Sequence, residues 1–395
     1  MENKKFNILI APNSFKECAD SVEISEYMKT SLFRLLPDEI RSQINFDLKP
    51  ISDGGDGFLQ VAQRIFGLEF LHFEISYPHS DEKLFCPVAY SEAAKTLYVE
   101  SAEVLGIKLV PTEFRNPMLL SSKGMGDLLI HINDSVENGV LAIEKVVIGI
   151  GGTAINDLGL GMLKAVGWRF LDEDDNDVDP IPANFSRISG FEGEKIEVPF
   201  KIELIADVDN PLIGDQGASK VFSLQKGASE DEAEEMDKGF QDVLSVLGIS
   251  EKKIDLLNGS GGGLTAAFEL FFDVDIKYAT DFIVDDLKIH DTNNNNYDIV
   301  ITGEGQLDYK SFMNKGAMLI VNEFAQKEIP IYLVCGQTEG DLPEVEMLYV
   351  IEVAEYFNSE EESIQKIDKG IEMACRRIGK DIIKLFAAKN SKNKN

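Results

Sequence analysis

The chain has 395 residues, 44% of them hydrophobic, and a formal net charge of −31. That length exceeds what one compact core usually fills, so two domains are expected. The negative charge repels nucleic acid and anionic membrane, no run of about 18 uncharged apolar residues offers a span, and the apolar stretch after "MENKKF" is too short for a secretory leader. The expectations are therefore no nucleic-acid partner, no membrane partner and a cytoplasmic location.

Four cysteines, Cys18, Cys86, Cys335 and Cys375, show no paired spacing and read as free thiols. The four histidines sit in no carboxylate-rich or glycine-rich cluster. Chemistry should rest on Asp, Glu and Lys.

In chain order, "FNILIAP" (6–12) reads as a buried strand and 21–36 as a helix with apolar residues at helical spacing. "NFDLKPIS" (45–52) is the next strand and stops at "DGGDG". Strand-like pieces follow in "KTLYVESA", "KVVIGIGG" and "FKIELIADVDN", among long loops. "SGGGL" (260–264) then turns into an apolar helix. "YDIVITGEG" (297–305), "IPIYLVCG" (329–336) and "MLYVIEVAEYF" return to β-branched runs, a helix closes the chain around 361–387, and the polar tail "AAKNSKNKN" is expected to be disordered. Strands alternating with helices imply α/β architecture with a largely parallel sheet. The middle reads as a second α/β domain over 71–280, inserted into a discontinuous first domain of 1–70 plus 281–395.

No G-x-x-x-x-G-K-[ST] is present. Gly149, Gly151 and Ala154 match G-x-G-x-x-A, a weak dinucleotide signal without a clean ribose-binding acid beyond it. "LDEDDNDVD" (171–179) fails as a calcium loop, because Asp177 stands where glycine is needed and Ala183 where a bidentate Glu is needed. It reads as a solvated turn. More telling, "SDGGDG" (52–57), "GGTAIND" (151–157), "ADVDN" (206–210) and "TGEGQLD" (302–308) each place glycine and carboxylate together at a strand end. Bare glycine N–H groups suit phosphate oxygens, and an adjacent carboxylate suits Mg²⁺. Ser14 is the expected cap of the first helix. Lys16, with Lys226 and Lys315 as further candidates, supplies a cation near a strand end. Together these features suit phosphoryl transfer, where positioning and charge neutralisation dominate.

The chain resembles type I glycerate kinases in seven ordered segments: "APNSFKE", "SDGGDG", "NPMLLSSKGMGDLLI", "GIGGTAINDLGLGML", "ADVDNPLIGDQGASKVFSLQKGA", "SGGGL" and "ITGEGQLD". The resemblance implies Mg²⁺-dependent phosphoryl transfer from ATP to D-glycerate, giving 2-phosphoglycerate. It also implies two α/β domains around a cleft, one of them flavodoxin-like and built from both chain ends. Carried over by position, the site residues are Ser14, Lys16, Asp53, Gly54, Gly55, Asn156, Asp157, Asp207, Asp209, Asn210, Gly303, Glu304, Gly305 and Asp308. Gly151 and Gly152 belong to the anion cradle read from the glycine pattern. Asp207 or Asp209, two apart after a strand, is the expected general base. Lys16 is a phosphate or substrate contact, and Asp207 and Asp157 are the expected Mg²⁺ ligands.

The chain departs from the family pattern at several places. Asn13 stands for Asp, Phe58 for Thr, Lys123 for Tyr, Leu158 for Gly, Leu160 for Ala, Leu224 for Pro, Gln306 for Arg and Asn314 for Gly. Asn13 and Gln306 motivate an alternative: a non-catalytic or substrate-altered relative that binds a different small hydroxy acid.

Overall fold

The structure is a computed structural model that describes residues 5–15, 18–206, 211–289, 297–307, 316–340 and 345–392. The chain divides into two compact units, Met1–Ile65 with Thr280–Asn395, and Phe66–Ala279.

The chain begins the first unit with β1 (Phe6–Ile10) and β2 (Ile44–Leu48). It then runs through the second unit as β3 (Glu69–Ser76), β4 (Lys83–Ser91), β5 (Thr96–Glu100), β6 (Lys145–Ile150), β7 (Arg169–Leu171), β8 (Gly190–Glu192), β9 (Lys201–Ala206) and β10 (Val274–Tyr278). It returns to the first unit with β11 (Ile299–Leu307), β12 (Ile331–Thr338) and β13 (Leu348–Glu352).

In the first unit the strands lie in the order β13-β12-β11-β1-β2, all parallel. Counted within the unit, this is the 2-1-3-4-5 order of flavodoxin-like sheets. Winding reverses between β1 and β11, so the carboxyl ends of those strands frame the switch point where such sheets bind ligands. Phe6, Ile8 and Ile10 face one core, while Leu9, also fully buried, points the other way, as a sheet covered on both faces requires.

The helix Ser21–Leu35 starts where a capping box starts it. Asp20 accepts from the Glu23 N–H at 2.8 Å, and Glu23 accepts from the Asp20 N–H at 3.2 Å. Ser14 is therefore not the cap; the helix begins six residues later than a Ser14 cap requires. Ile24, Met28 and Leu32, one turn apart, pack with Ile371, Cys375, Ile378 and Ile382 of the closing helix Ile367–Lys392. That helix runs beyond the expected end at 387, and the tail is helical through Lys392. The cause is Lys389, whose amino group is 2.6 and 2.7 Å from the two Asp298 carboxylate oxygens and 5.3 Å from the centre of the Phe6 ring.

The second unit carries a six-stranded mixed sheet, β10-β9-β6-β5-β4-β3. The four strands β5, β6, β9 and β10 are parallel, and β3 and β4 extend them antiparallel. The pair β7 and β8 forms a separate antiparallel ribbon. Val146, Ile148 and Ile150 of β6 and Ile202 and Leu204 of β9 enter one core with the helices Lys123–Glu137 and Leu264–Phe271. The central strands β6 and β9 are in register to their ends, Ile150 opposite Ala206.

Candidate functional site

In the first unit, residues after β1 and within β11 meet at the switch point. The Asn13 N–H donates to the Gly303 carbonyl at 2.8 Å, which extends the β1–β11 pairing past the sheet. The Asn13 side chain accepts from the Ser14 N–H at 2.9 Å. Gly303 has no room for a side chain, because a Cβ would run into the Val334 carbonyl oxygen. Glu304 is buried, and its carboxylate lies 2.5 Å from where a Cβ on Gly316 would sit, with the Asn13 amide nitrogen 3.1 Å from the same point. Glu304 and Asn13 thus share one small space, held open by a glycine. In the segment after β2, Ser52 and Asp53 cap their own turn, accepting from the N–H groups of Gly54 at 3.2 Å and Gly55 at 3.1 Å.

In the second unit, the 151–157 turn leaves β6 and is tied at both ends. The Ser101 hydroxyl accepts from the Gly151 N–H and donates to the Gly151 carbonyl, both at 2.9 Å. The Ala154 N–H donates to Leu105 at 2.7 Å. Between these ties, Gly152 is exposed at φ +64°, and the N–H groups of Gly152 and Thr153 donate to no protein acceptor among the described residues. Two successive free N–H groups beside a left-handed glycine suit an anionic oxygen.

Asp157 does something other than expected. It is fully buried, and its two oxygens accept from the Ser122 N–H (2.7 Å), the Ser122 hydroxyl (2.8 Å) and the N–H groups of Gly159 and Gly161 (3.1 Å each). The Ser122 hydroxyl in turn accepts from the Met162 N–H at 2.8 Å. Asp157 therefore satisfies the opening N–H groups of the Leu160–Ala165 helix and fastens them to the start of Lys123–Glu137. With no exposed oxygen, it does not fit as a Mg²⁺ ligand. Burial pushes its carboxyl up to about 6, against the four donated hydrogen bonds. Asn156 also faces inward. Its Nδ2 reaches the Ser219 hydroxyl at 2.9 Å and the Met236 sulfur at 3.3 Å, while its buried Oδ1 has no partner among the described residues.

Beneath the same turn lies Lys226, 6% exposed, its amino group 2.8 Å from the Ile155 carbonyl and 3.5 Å from the Thr153 hydroxyl. Burial lowers it to about 8, partly offset by the nearby charge of Asp157. The following Gly227 turns at φ +105°, where a Cβ would strike the Arg115 carbonyl.

The glycine turn at 261–263 also presses on the Ile155 carbonyl. All three glycines have positive φ, and a Cβ on Gly262 would collide with that oxygen. Gly262→Ala is expected to destabilise the fold by about 2 kcal/mol, from left-handed strain and forced displacement of the 151–157 turn. Urea unfolding of the variant measures this, and an unchanged midpoint would mean that the two turns are not braced.

Among the described residues, no group of three or more His, Cys, Asp or Glu side chains is arranged to hold a metal ion. Lys16, Asp207, Asp209, Asn210 and Asp308 lie outside the described residues.

The model of the Glycerate kinase family matches residues 8–383. The chain belongs to the glycerate kinase family. It is 31% identical to a glycerate kinase of Haemophilus influenzae over 84% of this chain and 86% of that one. It is 30% identical to a glycerate kinase of Halalkalibacterium halodurans, over 94% and 97%. A glycerate 2-kinase of Escherichia coli is 29% identical, over 85% and 86%. A crystal structure of a protein provisionally designated glycerate kinase 2, from Salmonella typhimurium LT2, superposes with a TM-score of 0.72 at 25% identity, covering 95% of this chain and 98% of that one. The glycerate kinase family is a family of phosphotransferases, and this chain is a member over nearly its whole length.

Several departures from the glycerate kinase pattern have local explanations. Leu158 adopts a left-handed conformation that favours glycine, φ +53°, while its side chain is buried in the core. The strain is about 1–3 kcal/mol, comparable to what burying a leucine returns. Phe58 is fully buried with its ring 5.3 Å from that of Phe282, so an apolar contact replaces a hydroxyl. Lys123 pairs with Asp81 at a cavity of about 560 Å³ that Lys164 and Asp179 also line. Gln306 is exposed on β11 opposite Gln337. Residues that sequence reasoning passed over are Ser101 and Ser122. Ser122 was detectable as a hydroxyl residue directly before a helix, the usual place for a cap.

Proposed function

We propose that this protein transfers the γ-phosphoryl group of ATP to a hydroxyl of D-glycerate, giving 2-phosphoglycerate and ADP. The family match over residues 8–383 carries the proposal. The glycine turns with free N–H groups at the carboxyl end of β6, and the acid-bearing switch point of the first unit, support it. Asp207 or Asp209 takes the proton from the acceptor hydroxyl as its oxygen bonds to phosphorus and the bond from phosphorus to the ADP oxygen breaks. Lys16 contacts phosphate or substrate. The N–H groups of Gly152 and Thr153 receive an anionic oxygen. Mg²⁺ would offset phosphoryl charge; Asp207 is the ligand proposed for it, and Asp157 is withdrawn from that role because its oxygens are already engaged.

A coupled ADP-release assay with ATP and Mg²⁺ tests this, with D-glycerate beside L-glycerate, lactate, tartronate and glycolate. Clear preference for D-glycerate is the expected result. Turnover with another acid alone would reassign the substrate and implicate Phe58, Lys123 and Gln306. No turnover with any of them, with ATP still bound, would replace the proposal with a non-catalytic relative. The feature favouring that second reading is Asn13, an amide beside Glu304 where the family carries a carboxylate.

A further inference from the structure

Lys226 is a buried cation to which the reaction as written gives no task. Its amino group meets only a carbonyl and a hydroxyl, and no carboxylate pairs with it among the described residues. The nearest acid acting on it, Asp157, already has both oxygens occupied by other donors. An unpaired buried charge is costly, so a site retaining one is expected to have a counter-charge arriving from outside. The free N–H groups of the neighbouring turn show where: Gly152 is exposed, Thr153 is only 6% exposed, and the Lys226 amino group is 3.5 Å from the Thr153 hydroxyl.

We propose that Lys226 is a positioning residue for an anionic oxygen, either a nucleotide phosphate or the carboxylate of the acid, received by the Gly152 and Thr153 N–H groups. The inference rests on the kinase reading for its choice of ligands. The ammonium does two things. By holding the Ile155 carbonyl and the Thr153 hydroxyl, it fixes the turn that carries the two N–H groups. It also puts a positive charge behind them at a depth where little water screens it. Gly262 packs against the same Ile155 carbonyl with no room for a side chain, and Gly152 is the exposed residue of the turn that a ligand can approach.

The test uses the full-length protein and calorimetric titration with ATP and, separately, with D-glycerate. Lys226→Met removes both the charge and the hydrogen bonds. Lys226→Gln keeps a donor for Ile155 without the charge. One ligand should bind at least about tenfold more weakly to both variants while the other changes less than about twofold, and the affected arm identifies the ligand. A role as a strut alone would shift both arms together in the Met variant and leave the Gln variant like wild type. That pattern overturns the proposal, as does unchanged affinity in the Met variant. If the Met variant loses its cooperative thermal transition, the Gln variant decides. A wild-type protein that binds neither ligand also overturns it. Wild type that binds both but phosphorylates nothing overturns the kinase reading alone, and the titrations still judge Lys226.

Discussion

Asp157→Ala is expected to cost about 3 kcal/mol or more of stability at pH 5, because three N–H groups and a hydroxyl lose their buried acceptor at about 1 kcal/mol or more each. The donors belong to two separate pieces of backbone, Ser122 and the stretch from Gly159 to Gly161. Removing the carboxylate frees the start of the Leu160–Ala165 helix and the turn before it together. The size of the loss should depend on pH, with a definite sign. The Asp157 carboxyl titrates near 6 in the folded chain, above its ordinary 3.8, because burial outweighs its hydrogen bonds. The folded state therefore binds this proton more tightly than the unfolded state. The stability so gained is fully present below about pH 4 and lost as pH rises through 6, in total about 3 kcal/mol. Only wild type carries that dependence. Its advantage over the alanine variant should shrink by roughly 1–2 kcal/mol between pH 5 and pH 8. Urea titrations of both proteins across that range measure it. A gap that is constant with pH would mean that Asp157 stays ionised in both states, its four donors outweighing burial.

Asp157 also marks where sequence reading reaches its limit. Glycine and carboxylate together at a strand end were legible, and so were the parallel sheet from both chain ends and the strands β6 and β9, since β-branched runs that stop at glycine leave few alternatives. Direction was not legible. Asn156 and Asp157 sit in the pattern as an amide and a carboxylate beside bare backbone, and their turning inward depends on Ser122 and Ser219, 35 and 63 residues away. No local spacing encodes such partners. The helical tail was missed for the same reason: its composition is that of a disordered segment, and Asp298, 91 residues earlier, holds it. The antiparallel strands β3 and β4 are partly exposed, with apolar residues mixed among polar ones, so their periodicity is faint beside that of the central strands.

Asp207→Asn and Asp209→Asn should separate the base from its neighbour. Strand β9 lies between β6 and β10, and its last residue, Ala206, is in register with Ile150, directly before the Gly151 turn. A parallel strand in that position delivers the residues that follow it to the ligand end of the sheet. Asp207 and Asp209 are the first carboxylates that follow it in sequence. An acid serving as general base there contributes in the transition state and little to ground-state affinity. Its asparagine variant should therefore lose about 10²–10⁴-fold in kcat with KM nearly unchanged. An acid that holds Mg²⁺ instead should show a raised KM for the nucleotide, partly restored by excess Mg²⁺. We expect the first signature from one of the two residues and the second from the other, since Asp207 is the residue proposed for the metal. Steady-state kinetics at varied Mg²⁺, with circular dichroism confirming the fold, distinguishes them. If both variants keep more than about a tenth of wild-type kcat, neither is the base, and the proton must pass to another group in the first or second unit.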